Sequence, residues 1–404
     1  MKKNNRIIAK VVFLIFIYFI IHSIYLGITS QPIEGDSLYY HIPIAKSILN
    51  GQFISPDYGN NFHQYFPASA ELILALFIKL NLPLNLYNVL AILLLFLSSY
   101  HLAKTTGLKK QYNLLFASCI AMLQTVIRWI HAQTVDIWLV VFYLISSTLL
   151  LKPKNSHSYY LKLGLVFGLL IGTKYSGPLF ALILLAMFFK NFYRFLNFIR
   201  LVKFSLLVSI FGLFWYLRNY LATGNPFYPL DTPLFKGIAG NSIIQTPIWK
   251  AVLLHPLSML NAFFGEYMIW SILIFLIPFL YFHKAKLKES KNIKKAKNFI
   301  LLGFFNFLVF LILPSGDSYQ LHVSQFRFSY PAFIPLILSI FILAMEYKQE
   351  TTIAILTLAN ILTLGSLSYH PKLLFIYLPL VYLVFNQNKL TKQYNSLKKK
   401  IYEK

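Results

Sequence analysis

Runs of about fifteen to twenty residues with almost no charge recur along the whole chain, each long enough to cross roughly 30 Å of hydrocarbon as a helix. With 57% hydrophobic and 17% aromatic residues and a mean hydropathy of +0.62, the chain has too little polar surface for a water-soluble globule. The first apolar run, 7–28, follows Met1-Lys2-Lys3-Asn4-Asn5-Arg6. It exceeds a signal-peptide core of about 7–15 residues, and no small-x-small cleavage site follows, so it reads as an uncleaved first span. The single Cys119 lies within an apolar run and excludes an intramolecular disulfide.

The pattern predicts an all-α polytopic membrane protein with about twelve spans, near 7–28, 86–103, 112–129, 134–151, 158–174, 177–190, 201–221, 264–282, 298–314, 330–346, 351–369 and 373–386. A net charge of +25 suggests nucleic acid until it is mapped onto this topology. Twenty-eight of the thirty-seven Lys and Arg then fall on the side of the N-terminus, most densely at 284–297 and 389–404, with four of the twelve acids. This is the positive-inside signature, not a nucleic-acid footprint. It predicts an inner (plasma) membrane protein with cytoplasmic termini. A single membrane domain is expected over 1–390, with a basic cytosolic tail at 391–404 that contacts anionic lipid.

The segment 67–82 is apolar but short, and we read it as a surface or dipping helix; a true span would swap the sides of the later charge clusters. Three more polar segments face outward on this topology: 29–66, 222–263 and 315–329. The run 38–49 reads as an amphipathic surface helix with Tyr and Ile toward lipid. Thr223-Gly224-Asn225-Pro226-Phe227-Tyr228-Pro229 enforces a turn. Nucleotide-binding, zinc-finger and Gly-x-Ser-x-Gly motifs are missing from the sequence.

The outward polar residues carry the chemistry. Glu34 and Asp36 follow the first span, Asp136 opens a span, Lys174 and Arg218 each end one, and Arg327 precedes one; His63 and Glu71 belong to the same face. His63 and His131 are lone histidines near aromatics, more often interface residues than ligands. Ionisable groups near a bilayer are costly and usually functional. Acids take protons or bind metal, whereas Lys and Arg hold phosphate. The set suits a lipid-linked phosphosugar at the interface. The plain alternatives are a solvated loop acid for Asp36, a helix-dipole contact for Asp136, and snorkelling for Lys174 and Arg218.

The order of motifs resembles the GT-C glycosyltransferases, including the protein O-mannosyltransferases and the lipid A aminoarabinose transferases. The carrying residues are Asp36-Ser37-Leu38-Tyr39-Tyr40-His41-Ile42-Pro43, Tyr65-Phe66-Pro67-Ala68-Ser69-Ala70-Glu71, Gly172-Thr173-Lys174-Tyr175-Ser176-Gly177, and Trp215-Tyr216-Leu217-Arg218-Asn219 with Thr223-Gly224-Asn225-Pro226. The chain departs from that pattern in lacking a large C-terminal soluble domain. The resemblance implies inverting transfer of a sugar from a polyprenyl-phosphate donor to a glycan, lipid or protein acceptor on the non-cytoplasmic face. Asp36 would be the general base, with Asp136 and Glu34 as further catalytic acids. Lys174, Arg218, Arg327, His63, Glu71, Tyr40 and His41 would contact substrate, and a divalent cation such as Mg or Mn is an open possibility. A transporter or flippase of an anionic amphiphile, or a polysaccharide polymerase or O-antigen ligase, fits the same composition. Paired broken helices, the sequence mark of many transporters, are not evident.

Overall fold

The computed structural model describes residues 2–54, 62–238, 247–283, 290–314 and 319–364. Among them the architecture is all-helical, with a single isolated β-bridge between Pro247 and Pro314. Five helices are long and apolar enough to cross a membrane: Asn5–Thr29, Leu86–Thr106, Phe198–Thr223, Lys291–Ile312 and Gln320–Glu346. A bent pair, Pro256–Tyr267 with Ile269–Ile277, supplies a sixth. Asp136–Leu151, Gly177–Met187 and Glu350–Leu362 are apolar but shorter.

Several expected boundaries are corrected. The run 112–129 is not one helix: Lys110–Ala121 ends there, and Gln124–Ile127 forms a separate short turn. The run 264–282 breaks at Met268. Glu71–Lys79 has nine residues, about 14 Å at 1.5 Å per residue, too short to cross. In 38–49, Leu38, Tyr39 and Leu49 are exposed, but Ile42 and Ile44 pack inward and Ile48 is partly buried, so the isoleucines do not form a lipid-facing stripe. Much of 222–263 and 315–329 is helical too: Ile248–Leu254 and Tyr319–Gln325 pack into the bundle. The segments 373–386 and 389–404 lie outside the described residues, as does part of 284–297.

Gln320–Glu346 is the central helix, with 83% of its apolar window buried, whereas Phe198–Thr223 is an outer wall with 17% buried. The wall packs closely because His157–Thr173 presents Gly164, Gly168 and Gly172 along one face, a small-residue repeat of four. A Cβ at Gly164 would stand 2.5 Å from the Phe204 carbonyl oxygen, and one at Gly168 2.6 Å from that of Leu207. Gly168→Leu is therefore expected to push the wall outward at a cost of about 1–3 kcal/mol. A thermal scan in detergent checks this; a variant that melts with the wild type refutes the close-packing account.

Polar ties define the two ends of the bundle. At one end Asn5 bonds Tyr112, Lys109 pairs with Glu350, and Lys295 donates to the Thr106 carbonyl. At the other, Asn85 donates to Ser30 Oγ at 2.9 Å, and Gln133 donates to Asn85 at 3.0 Å. The candidate residues gather at this second end.

The bend between Pro256–Tyr267 and Ile269–Ile277 is 109°. Met268 turns it with φ +53° and ψ −125°, a conformation that strains a residue bearing a side chain by about 1–3 kcal/mol. The Ile269 N–H that the break frees is satisfied by Asn360 Oδ1 at 3.2 Å. The two arms border an apolar cavity of about 520 Å³, lined by residues that include Met259, Phe263, Phe275, Phe304, Phe326 and Phe333.

Candidate active site

Four charges from distant parts of the chain meet at the second end of the bundle. Asp36 begins the turn that leads into Ile42–Leu49, Asp136 opens Asp136–Leu151, and Lys174 follows His157–Thr173. Arg327 lies in the 3-10 turn Phe326–Ser329 within the central helix, immediately before its segment Tyr330–Glu346. Arg327 Nη2 donates to Asp36 Oδ2 at 2.6 Å, and its Nε lies 3.3 Å from Asp136 Oδ2. Lys174 Nζ donates to Asp136 Oδ1 at 2.7 Å. One buried carboxylate thus holds both cations, and Arg327 bridges the two acids.

Exposure separates the roles. The Asp136 and Arg327 side chains are 5% and 10% exposed, but those of Asp36 and Lys174 are 38% and 31%. Asp36 is thus the more accessible of the two acids, and Asp136 is buried against both cations. Burial alone would push the Asp36 carboxyl up, but the charge and hydrogen bond of Arg327 outweigh it and hold the group below its ordinary value. Arg327 lies over the Trp129 ring at 4.5 Å, and Lys174 Nζ is 3.6 Å from the Phe328 ring centre, contacts that favour cations. Arg327 Nη1 is buried with no hydrogen-bond partner among the described residues.

Around this cluster, His41 Nδ1 and Glu71 Oε1 form a buried pair at 2.8 Å, each facing the other instead of open space. Tyr40 stacks on His63 with ring centres 4.7 Å apart, and His63 also meets Tyr39 and Phe66 edge-on. Burial, reinforced by His41 and opposed by Asp36, lowers the His63 pKa to about 4, so the ring is neutral at physiological pH. Burial beside Asp36 raises the Tyr40 hydroxyl well above its ordinary value, which keeps it a neutral donor.

Two expected members stand elsewhere. Glu34 accepts the Asp36 N–H at 3.1 Å, the Ser37 N–H at 2.7 Å and the Ser37 hydroxyl at 2.6 Å. Its carboxylate shapes the turn that presents Asp36. Ser37 Oγ in turn accepts the Gln133 N–H at 2.8 Å, which ties Asp36 to the approach of Asp136. Arg218 is buried, donating to Asn219 Oδ1 and, at 3.4 Å, to the Phe53 and Phe66 carbonyls, with its guanidinium over Trp215. It fastens the first outer loop to Phe214–Thr223. His131 precedes the cluster in the loop that carries Gln133 and is not among the ion-pair partners described there.

Trp129, Phe328 and the pair of part-buried Arg128 with buried Glu266 were not singled out from sequence. Arg128 and Glu266 did carry a signal: opposite charges, each beside or within an apolar run, which membrane proteins tend to pair. Among the described residues, no group of three His, Cys, Asp or Glu is placed to hold a metal. Asp36 and Asp136 already face Arg327 and Lys174, so a Mg or Mn ion there would meet two positive charges. These residues do not fit the cation considered from sequence.

Two crystal structures of the Archaeoglobus fulgidus oligosaccharyltransferase are similar to this chain. The complex with zinc and sulfate shares 16% identity over 89% of this chain and 52% of that one, with a TM-score of 0.47. The apo form shares 14% identity over 94% and 55%, with a TM-score of 0.45. The chain spans about half the length of that protein. No protein-family model and no curated protein sequence matches it.

Proposed function

We propose that the protein is a GT-C-type membrane glycosyltransferase that moves a sugar from a polyprenyl-phosphate donor to a cell-envelope acceptor. The carrying observation is the convergence of an accessible acid, Asp36, with Lys174 and Arg327 around one buried counter-ion, Asp136. In the reaction the acceptor hydroxyl or amine attacks the anomeric carbon and its proton passes to Asp36. The bond from that carbon to phosphate oxygen breaks, and the electron pair leaves with the lipid phosphate. Lys174 and Arg327 stabilise the charge gained there. Phosphate drawn to Lys174 and Arg327 offsets the positive charge felt by Asp36, which raises its basicity once donor is bound. Arg218 and Glu34 act one layer out, and no nucleotide is required because the donor bond is already activated. The cluster lies at the bundle end opposite Asn5, Lys109 and Lys295, which supports an active face away from the cytoplasm.

The lipid chain has a place beside the cluster. Phe326, the neighbour of Arg327, lines the apolar cavity, whose volume of about 520 Å³ falls in the range of small-molecule sites. Met259→Trp, which narrows it, is expected to raise KM for the lipid donor roughly tenfold with little change in kcat. That corresponds to about two buried methylenes at about 0.8 kcal/mol each. An unchanged KM moves the chain elsewhere.

The function itself is tested with purified protein in proteoliposomes, a radiolabelled polyprenyl-phosphate sugar and an envelope fraction as acceptor. A labelled covalent product is expected. Passage of intact lipid-linked sugar between leaflets without such a product overturns the reading in favour of a flippase.

A further inference from the structure

The bend at Met268 reaches Arg327 from two directions. The Glu266 side chain is 1% exposed, and its Oε1 accepts from Arg128 Nε at 3.1 Å and also from Arg128 Nη2. The next residue, Trp129, places its ring against the Arg327 guanidinium. From the other direction, the Tyr267 hydroxyl hydrogen-bonds Ser329 Oγ at 2.7 Å, two residues beyond Arg327 in the same turn. Tyr330 closes the circuit by donating to the Thr125 carbonyl at 2.7 Å. Asn360 holds the far arm of the bend. A strained corner is thus fixed on three sides, and two of its residues bracket the cation that bridges Asp36 and Asp136.

We propose that Glu266 and Tyr267 are positioning residues that set the distance of the Arg327 guanidinium from Asp36, acting through Arg128–Trp129 and through Ser329. Its part in turnover rests on the transferase reading; the positioning itself does not. Releasing either tie lets Arg327 draw back, and Asp36 then keeps its burial but loses its nearest positive charge. Asp36 also faces His41, His63, Tyr40, Lys174 and Asp136, with Glu34 two residues before it. Glu266→Gln and Tyr267→Phe leave all of these in place.

The test is carbodiimide-driven amine labelling of Asp36 across pH, quantified by mass spectrometry on the full chain in detergent, which needs no substrate. In both variants the labelling midpoint is expected to rise by roughly one pH unit, the lower end of what an adjacent opposite charge contributes. The charge-swapped pair Arg128→Glu with Glu266→Arg is expected to return it toward the wild-type value. Both variants keep side-chain size, and a thermal scan identifies one that merely unfolds. A folded variant with the wild-type midpoint overturns the positioning role. Turnover separates the two claims: a shifted midpoint in a protein without transferase activity refutes the transferase and leaves the positioning standing. With an active enzyme, kcat is expected to fall in both variants with KM nearly unchanged.

Discussion

Asp36→Asn is expected to lower sugar transfer by about 10²–10⁴-fold, the usual range for loss of a general base, while the protein still folds and binds donor. Asn keeps the shape and accepts the Arg327 hydrogen bond, and a side chain 38% exposed tolerates the change. Turnover with a labelled donor, alongside a thermal scan, checks it; a variant above a tenth of wild-type activity places the base elsewhere. The pH dependence has a definite sign. Because Arg327 holds the Asp36 carboxyl below its ordinary value, the group is ionised throughout the neutral range. The Asp36–Arg327 pair likewise contributes stability above the unfolded carboxylate value and loses it as pH falls through the lowered one. His63, with a pKa of about 4, adds no titration near pH 6.5.

Asp136→Asn is expected to damage stability and activity together. Its oxygens face Lys174 and Arg327, and removing one charge from a buried cluster of this kind costs about 3–5 kcal/mol. Partial exposure of Lys174 argues for the lower end of that range. On the proposed reaction, transfer should fall at least 10²-fold because Lys174 and Arg327, the cations assigned to the leaving phosphate, lose their alignment. The contrast with Asp36→Asn is the informative result: one variant inactive with near-normal melting, the other inactive and destabilised. Equal melting temperatures would remove Asp136 from its role as shared counter-ion.

The long helices were legible because an uninterrupted apolar run has few alternatives in lipid. Asn5–Thr29, Leu86–Thr106 and Phe198–Thr223 lie within a few residues of their expected spans. The break at Met268 was not legible, since no Gly or Pro stands at the broken position itself; the freed Ile269 N–H is satisfied by Asn360, about ninety residues away in sequence. At the site, Asp36, Asp136, Lys174 and Arg327 stood out as charges in a chain that has few. Sequence could not pair them, nor separate them from Glu34, whose two oxygens are taken by a turn two residues away. Arg218 carried as strong a signal as Lys174, yet it meets backbone carbonyls because its helix ends beside the first outer loop. Scarcity of charge marked functional candidates, and tertiary pairing divided them.

With two acids ionised and two bases protonated, the cluster has no net charge, and its field beyond a Debye length of about 8 Å is that of compensated dipoles. Such a site does not gather anions from bulk water as a cationic funnel does. On the proposed reaction its lipid-linked donor arrives laterally, within the plane of the membrane, and its concentration is a mole fraction in lipid. Phosphate and sulfate in solution then compete poorly, and discrimination for a lipid-linked anion follows from the route of entry as much as from contacts at the end of it.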